Sequence, residues 1–292
     1  MVNILVTGKD GQLGQYIMKI VTKTSQKNNF CFVGREELDL SNEINITNYF
    51  KNNSFDIIIN CAAYTAVDKA EKDKMLANQI NHLAVLQLAN IAQRKSIKLI
   101  HISTDYVFDG KTNKPYLEND PANPINTYGK TKLAGEIAIR KIMPINSYII
   151  RTSWVYSGHG NNFVKTMLKL GKERSELNVV CDQISSPTYA GDLAVVILNI
   201  VKNEQYQNNN HPSKIYHYSN EGSVSWYQFA KEIFKLAKIE CQVNPVLSDE
   251  YPTLANRPKN TLLGMMHTTK ALKINPIFWK KSLKIFLTDE TV

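Results

Sequence analysis

Short apolar runs alternate with helical patterns through the first half of the chain. Residues 3–7, 31–33, 56–60, 98–102 and 147–151 read as strands. Residues 12–22, 46–52, 74–94 and 128–141 carry the spacing of amphipathic helices. Asp56-Ile57-Ile58-Ile59-Asn60 is apolar throughout its centre, as a strand buried on both faces should be. Strand and helix in alternation, with short links, predict an α/β fold: a doubly wound parallel sheet covered on both faces. Beyond Thr152 the pattern loosens. Helices are expected at 162–172, 191–201, 226–237 and 280–286, and short strands at 177–180 and 215–217. The polar, asparagine-rich segment 205–212 reads as an exposed loop, and 109–127, with Gly110, Pro115, Pro121 and Pro124, as a long ordered one. A lobe boundary near 152 divides a first domain, 1–152, from a smaller C-terminal substrate-binding lobe, 153–292, whose chain can interleave with the first.

Composition narrows the class without naming the chemistry. The chain has 292 residues, 43% hydrophobic and 21% charged, which is ordinary for a globular protein. No apolar run approaches the roughly 20 residues that span a bilayer, and Val2 to Thr7 already reads as strand, so neither an anchor nor a signal peptide is expected. Cys31, Cys61, Cys181 and Cys241 lie far apart and form no CxxC, which fits reduced thiols in a cytoplasmic protein. The six histidines form no cluster of metal-ligand spacing, so no metal is expected. The net charge of +9 comes from scattered lysines, without a basic run interleaved with aromatics; nucleic acid and membrane are not expected partners.

The sharpest local signal is Gly8-Lys9-Asp10-Gly11-Gln12-Leu13-Gly14, directly after the first strand. Glycines let a backbone turn tightly and approach a pyrophosphate on the following helix N-terminus, which describes a Rossmann-like dinucleotide site. A purely structural turn is the other reading. The adenosine ribose is read at the end of the second strand. There Arg35 suits the 2′-phosphate of NADPH and Glu36 the 2′-hydroxyl of NADH, with Asp39 and Leu40 against the adenine. The balance favours NADPH and leaves NADH open. Ala62, Ala63, Tyr64 and Thr65 follow the third strand, where small side chains admit a ligand or simply pack a helix on the sheet. Ser103-Thr104-Asp105 closes the fourth, either facing the same cleft or capping a turn. Tyr128 and Lys132 stand one helical turn apart. A cation there would lower the phenol's pKa and make it a general acid toward a carbonyl oxygen; alone, the pair could be an exposed helix couple.

These motifs together resemble the extended short-chain dehydrogenase/reductases. Within them, Ser103-Thr104-Asp105-Tyr106-Val107-Phe108-Asp109-Gly110, Asn126-Thr127-Tyr128-Gly129-Lys130-Thr131-Lys132 and Arg151-Thr152-Ser153-Trp154-Val155-Tyr156 resemble the dTDP-4-dehydrorhamnose reductases. The resemblance runs from Ile4 to about Asn260. It implies NADPH-dependent reduction of the C4 ketone of dTDP-4-dehydro-6-deoxy-L-mannose to dTDP-L-rhamnose, by a monomer or homodimer. Tyr128 would donate the proton, Lys132 tune it and bind the nicotinamide ribose, and Thr104 bond the substrate oxygen. Val67, Asp105, Trp154, Asn162, Phe163, Gln183, Pro187 and Arg257 would line the sugar-nucleotide side. Trp154 reads equally as a core tryptophan. The related dehydratases carry an acid pair after the threonine; here Tyr106 follows Asp105, in keeping with a reductase. The stretch Thr261 to His267 departs from the family pattern. Two alternatives stand beside this reading: a reductase of another nucleotide-linked 4-ketohexose, and a non-catalytic dinucleotide-binding regulatory subunit like that of methionine adenosyltransferase.

Overall fold

The computed structural model describes residues 1–24, 27–204 and 211–289; most of the predicted loop at 205–212 lies outside them. The chain runs β1 (Asn3–Thr7), α1 (Gln12–Lys23), β2 (Asn29–Val33), α2 (Glu43–Asn52), β3 (Ile57–Asn60), α3 (Val67–Ala70), α4 (Lys74–Asn78), a π-helical turn (Gln79–Leu83), α5 (Ala84–Arg94) and β4 (Lys98–Thr104). It continues through α6 (Thr127–Ile142), β5 (Ser147–Thr152), β6 (Val155–Tyr156), α7 (Phe163–Glu173), β7 (Glu176–Val180), β8 (Ile184–Ser185), β9 (Thr188–Tyr189), α8 (Ala190–Glu204) and β10 (Lys214–His217). Last come β11 (Val224–Ser225), α9 (Trp226–Ala237), β12 (Gln242–Val246), α10 (Met266–Leu272) and α11 (Trp279–Asp289).

Six strands form one parallel sheet in the order β10-β5-β4-β3-β1-β2. Successive residues of each strand face opposite sides. Ile4, Val6, Ile57, Ile59, Ile100 and Ile150 therefore pack one face with Ile17 of α1 and Ile197 of α8. Leu5, Ile58, Leu99 and Ile149 pack the other with Phe50, Leu88 and Ile139. The chain leaves β1 toward β2 and returns to β3 on the other side. That reversal opens a crevice outside the carboxyl ends of β1 and β3, where ligands of such sheets bind.

The chain beyond Thr152 contributes α8 and the edge strand β10 to this sheet. Its remainder pairs β7 with β12, on which α9 packs, and carries α7 and α11 against α9. Local chemistry fixes the ends of the helices near the crevice. Asn126 caps α6 by accepting from Gly129 N at 2.8 Å. Ser225 and Gln228 form a capping box on α9.

The short elements α3, β6, β8, β9, β11 and α10 were not expected from the sequence pattern, and two further differences have a clear local cause. The helix expected over 74–94 is interrupted by the π turn, which aims Asn81 inward: its side chain accepts from Tyr64 N at 2.9 Å and donates to Tyr64 O at 3.0 Å. Such turns are common beside functional loops. Strand β12 was absent from the pattern because Pro245 interrupts a polar run, and proline argues against a strand unless it lies at an edge.

Candidate active site

The crevice is a cleft of about 650 Å³ that runs from the glycine turn to the start of α6. Gly8 adopts φ +72°, and a Cβ there would lie 2.9 Å from Ala62 N. A Cβ on Gly14 would sit 2.3 Å from Gly8 O. The turn and the end of β3 thus approach so closely that only glycine fits. Gly11 precedes α1 as its cap and has no side chain to bond the first amides of the helix. Those N–H groups and the helix dipole suit a pyrophosphate. The donor chemistry and the glycine cradle together fit a dinucleotide.

Seventeen of the residues singled out in the sequence line this cleft: Gly8, Asp10, Gly11, Gln12, Leu13, Arg35, Asp39, Leu40, Ala62, Ala63, Thr65, Val67, Thr104, Asp105, Tyr128, Lys132 and Trp154. At the adenosine end Arg35 Nε lies 3.6 Å from Asp39 Oδ2, and its side chain is 78% exposed. Lys9 pairs with Glu37, which also accepts from Gly34 N at 2.8 Å. Both cations at this end are therefore held by carboxylates.

Seven predicted residues do not line the cleft. Gly14 is packed behind the turn. Tyr64 turns its hydroxyl to Asp73 at 2.8 Å. Asn162 caps α7, accepting from Lys165 N at 3.0 Å. Phe163 packs on Trp226 at 4.4 Å. Gln183 donates to Ser248 Oγ at 3.0 Å. The Pro187 carbonyl accepts from Asn220 N at 3.3 Å. Arg257 forms a bidentate pair with Asp68, at 2.5 and 3.1 Å.

At the other end Tyr128 and Lys132 emerge from the first turns of α6, close to Thr104 at the end of β4. The Thr104 hydroxyl donates to Asp105 Oδ1 at 3.1 Å and accepts from Tyr106 N at 3.2 Å. Lys132 is 1% exposed; its Nζ donates to Ile102 O at 2.6 Å and lies 3.2 Å from His101 Nε2. His101 is held in turn by Asn60 at 3.1 Å. Burial lowers the Lys132 amine to about 8, against the opposing pull of Glu136 and Cys61.

The expected depression of the phenol is not found. Burial pushes Tyr128 up to about 12; Thr104 draws it down and Asp105 pushes it further up. The lysine is directed at Ile102 O and His101, so its charge does not tune the hydroxyl here. A neutral phenol remains the form that can give a proton.

Several lining residues were not assigned a site role from the sequence. Trp226 stacks on Trp154 with ring centroids 3.4 Å apart and planes at 10°. Trp154 reaches that stack from a left-handed backbone, φ +47°. Tyr106 meets the Tyr128 ring edge-on at 5.9 Å. Cys61, Gly160 and Asn161 also line the cleft. Tyr106 lay inside a motif already noted and Trp226 at the start of an expected helix; His101, behind the lysine, carried no sequence signal.

The family model described as RmlD substrate binding domain matches residues 2–292. The chain belongs to this family. It is 40% identical to a dTDP-4-dehydrorhamnose reductase of Aggregatibacter actinomycetemcomitans, over 97% of this chain and 98% of the relative. Among solved structures, the dTDP-4-dehydrorhamnose reductase of Clostridium acetobutylicum superposes with a TM-score of 0.91 at 38% identity, covering 99% of this chain and 100% of that one. That of Bacillus anthracis, in complex with NADP, also gives 0.91, at 37% identity and 99% coverage of both chains. The family match includes the stretch 261–267 that departs from the motif pattern. Among the described residues no helix is long and apolar enough to cross a membrane.

Proposed function

We propose that this protein is a dTDP-4-dehydrorhamnose reductase, which uses NADPH, and NADH as a second donor, to reduce the C4 ketone of dTDP-4-dehydro-6-deoxy-L-mannose to dTDP-L-rhamnose. The observation that carries the reading is the single cleft that joins the glycine turn to Thr104, Tyr128 and Lys132. The reduced nicotinamide supplies the hydride when bound. The remaining work belongs to the protein. Gly8, Gly11 and the N-terminus of α1 hold the pyrophosphate, with Gln12 and Leu13 beside it, and Ala62 to Thr65 leave room along the end of β3.

At the reacting centre the Tyr128 hydroxyl gives its proton to the forming C4 alkoxide, and the Thr104 hydroxyl orients that oxygen. The Lys132 ammonium binds the nicotinamide ribose. The stacked Trp154 and Trp226 form an apolar wall that excludes water from the sugar end. Arg257, whose fork is held by Asp68, brings a fixed positive charge to the diphosphate side. The assignment of Val67, Asn162, Phe163, Gln183 and Pro187 to the nucleotide side belongs to this reading as well. So do a cytoplasmic setting, a monomeric or homodimeric state, and a substrate lobe built mainly from 153–292.

Oxidation of NADPH followed at 340 nm with the dTDP-linked ketone tests the proposal. Fast, dTDP-dependent oxidation is expected, and Tyr128→Phe should lower it by about 10²–10⁴-fold while leaving dinucleotide affinity nearly unchanged. Full turnover in that variant would remove Tyr128 as the proton donor. Dinucleotide binding with no turnover of any nucleotide-linked ketone would point to the regulatory alternative.

A further inference from the structure

One buried acid in the cleft, assigned above only to line the sugar-nucleotide side, has no part in the proton transfers so far. Asp105 is 2% exposed, and both its carboxyl oxygens meet threonine hydroxyls. Thr104 Oγ1 lies 3.1 Å from Oδ1, and Thr261 Oγ1 lies 2.5 Å from Oδ2. Thr261 belongs to the stretch that departs from the family pattern. It is itself buried, and its backbone is tied down: Thr261 N donates to Ile184 O at 2.9 Å, and Ser185 Oγ donates to Thr261 O at 3.3 Å.

The charged groups around this acid are engaged elsewhere. Arg257 pairs with Asp68 and Lys259 with Asp182, both on the segment that carries Thr261. Lys132 of α6 is turned to Ile102 O and His101. The titratable groups facing Asp105 are Tyr106 in its own turn and Tyr128 on α6, both of which stay protonated at neutral pH. A carboxylate buried among neutral hydroxyls is poorly compensated, and a proton relieves the cost. Burial accordingly raises the Asp105 carboxyl to about 7, against the pull of the Thr261 and Thr104 hydrogen bonds.

In the protonated acid the carboxyl O–H can donate to Thr104. The Thr104 hydrogen is then free to turn to the Tyr128 oxygen, with which that hydroxyl interacts. We propose that Asp105 is a proton store for the reduction, discharged through the Thr104 hydroxyl onto the Tyr128 phenolate, and that Thr261 sets how readily the store fills. The inference rests on the reductase reading. Its steps balance. Tyr128 loses its hydroxyl proton to the C4 alkoxide, which becomes the product hydroxyl. The phenolate takes the Thr104 hydrogen as the Asp105 proton passes to the Thr104 oxygen. Asp105 ends as a carboxylate that accepts from Thr104 and Thr261, and a proton from solvent refills it after the product has left.

Two readouts test the store, one of them independent of turnover. Infrared difference spectra of the protein without ligands, taken against Asp105→Asn, should contain a carboxylic acid band that titrates near neutral pH. Absence of a titrating band would overturn the proposal. For activity, kcat/KM for the dTDP-ketone at saturating NADPH should fall as pH rises through the Asp105 ionisation, because only the protonated acid can deliver. Asp105→Asn should lose that limb and at least about tenfold in rate, with NADP affinity retained as the check on folding. Thr261→Val removes a donor to the carboxylate, so both the band and the limb should move to higher pH. An unchanged limb in both variants would overturn the store and leave the reductase reading standing. No turnover by the unsubstituted protein at any pH would overturn the reductase reading, and the store with it.

Discussion

At the scale of the residue, the tightest constraint is Gly14. Its missing side chain lets α1 begin against Gly8, where a Cβ would lie 2.3 Å from the Gly8 carbonyl oxygen. Backbone cannot yield as a flexible side chain does. Gly14→Ala should therefore cost about 1–3 kcal/mol of stability and weaken NADPH binding; denaturant unfolding and a dinucleotide titration would check both. The Tyr128–Lys132 spacing could be read directly from the sequence, since residues one turn apart share a helical face whatever the tertiary context. The proton affinities of the pair could not. They depend on burial, on Glu136 and Cys61 around the lysine and on Thr104 and Asp105 around the phenol, groups that meet only because β4 lies beneath α6.

At the scale of the element, α6 is fastened to β5 by a buried ion pair. Arg151 meets Glu136 through Nη2 at 2.7 Å and through Nε at 3.0 and 3.2 Å, and both side chains are almost fully buried. Ser103 also bonds Glu136, so three elements converge on one carboxylate. Removing one partner strands the other charge in a low-dielectric interior. Glu136→Gln is expected to destabilise by about 3–5 kcal/mol, and pairing it with Arg151→Met should recover part of the loss; a double-mutant cycle of unfolding free energies would reveal it. The π turn acts on the same region from the other side, through Asn81 bonded to the Tyr64 backbone and to Thr131 Oγ1 at 3.2 Å. Asn81→Ala should loosen the loop after β3 and raise KM for NADPH more than it changes kcat, as steady-state kinetics would show. Neither device announces itself in the sequence. The helical periodicity continues across the π turn, and an inward arginine looks like any other until its acid is found across the sheet.

At the scale of the whole molecule, two buried histidines make stability depend on pH. Burial, followed by the charge of Lys132, holds His101 well below its usual range. Burial and then Arg151 lower His217 to about 3. Both are neutral in the folded protein, while the unfolded chain takes up their protons below about pH 6.5. The stabilisation is complete above that value and drains as pH falls below it, for His217 down to about 3, by up to about 1.4 kcal/mol per pH unit for each histidine. Thermal unfolding between pH 7 and 4.5 should show a steadily falling midpoint, with a shallower fall in His217→Gln. A flat profile would mean that the folded protein admits protons at these sites.

Residue type and spacing alone specified the alternation of strand and helix, the glycine turn and the Tyr128–Lys132 couple. Each rests on interactions between residues close in the chain, so spacing and residue type suffice. Tertiary structure alone decided which of the candidate residues share a cleft. It placed β10, from late in the chain, on the sheet edge beside β5, and stacked Trp154 on Trp226. It also brought Thr261 onto Asp105 across 156 residues. Contacts of that separation depend on how whole layers pack, and burial, which sets the chemistry of Asp105 and Lys132, exists only once the layers have closed.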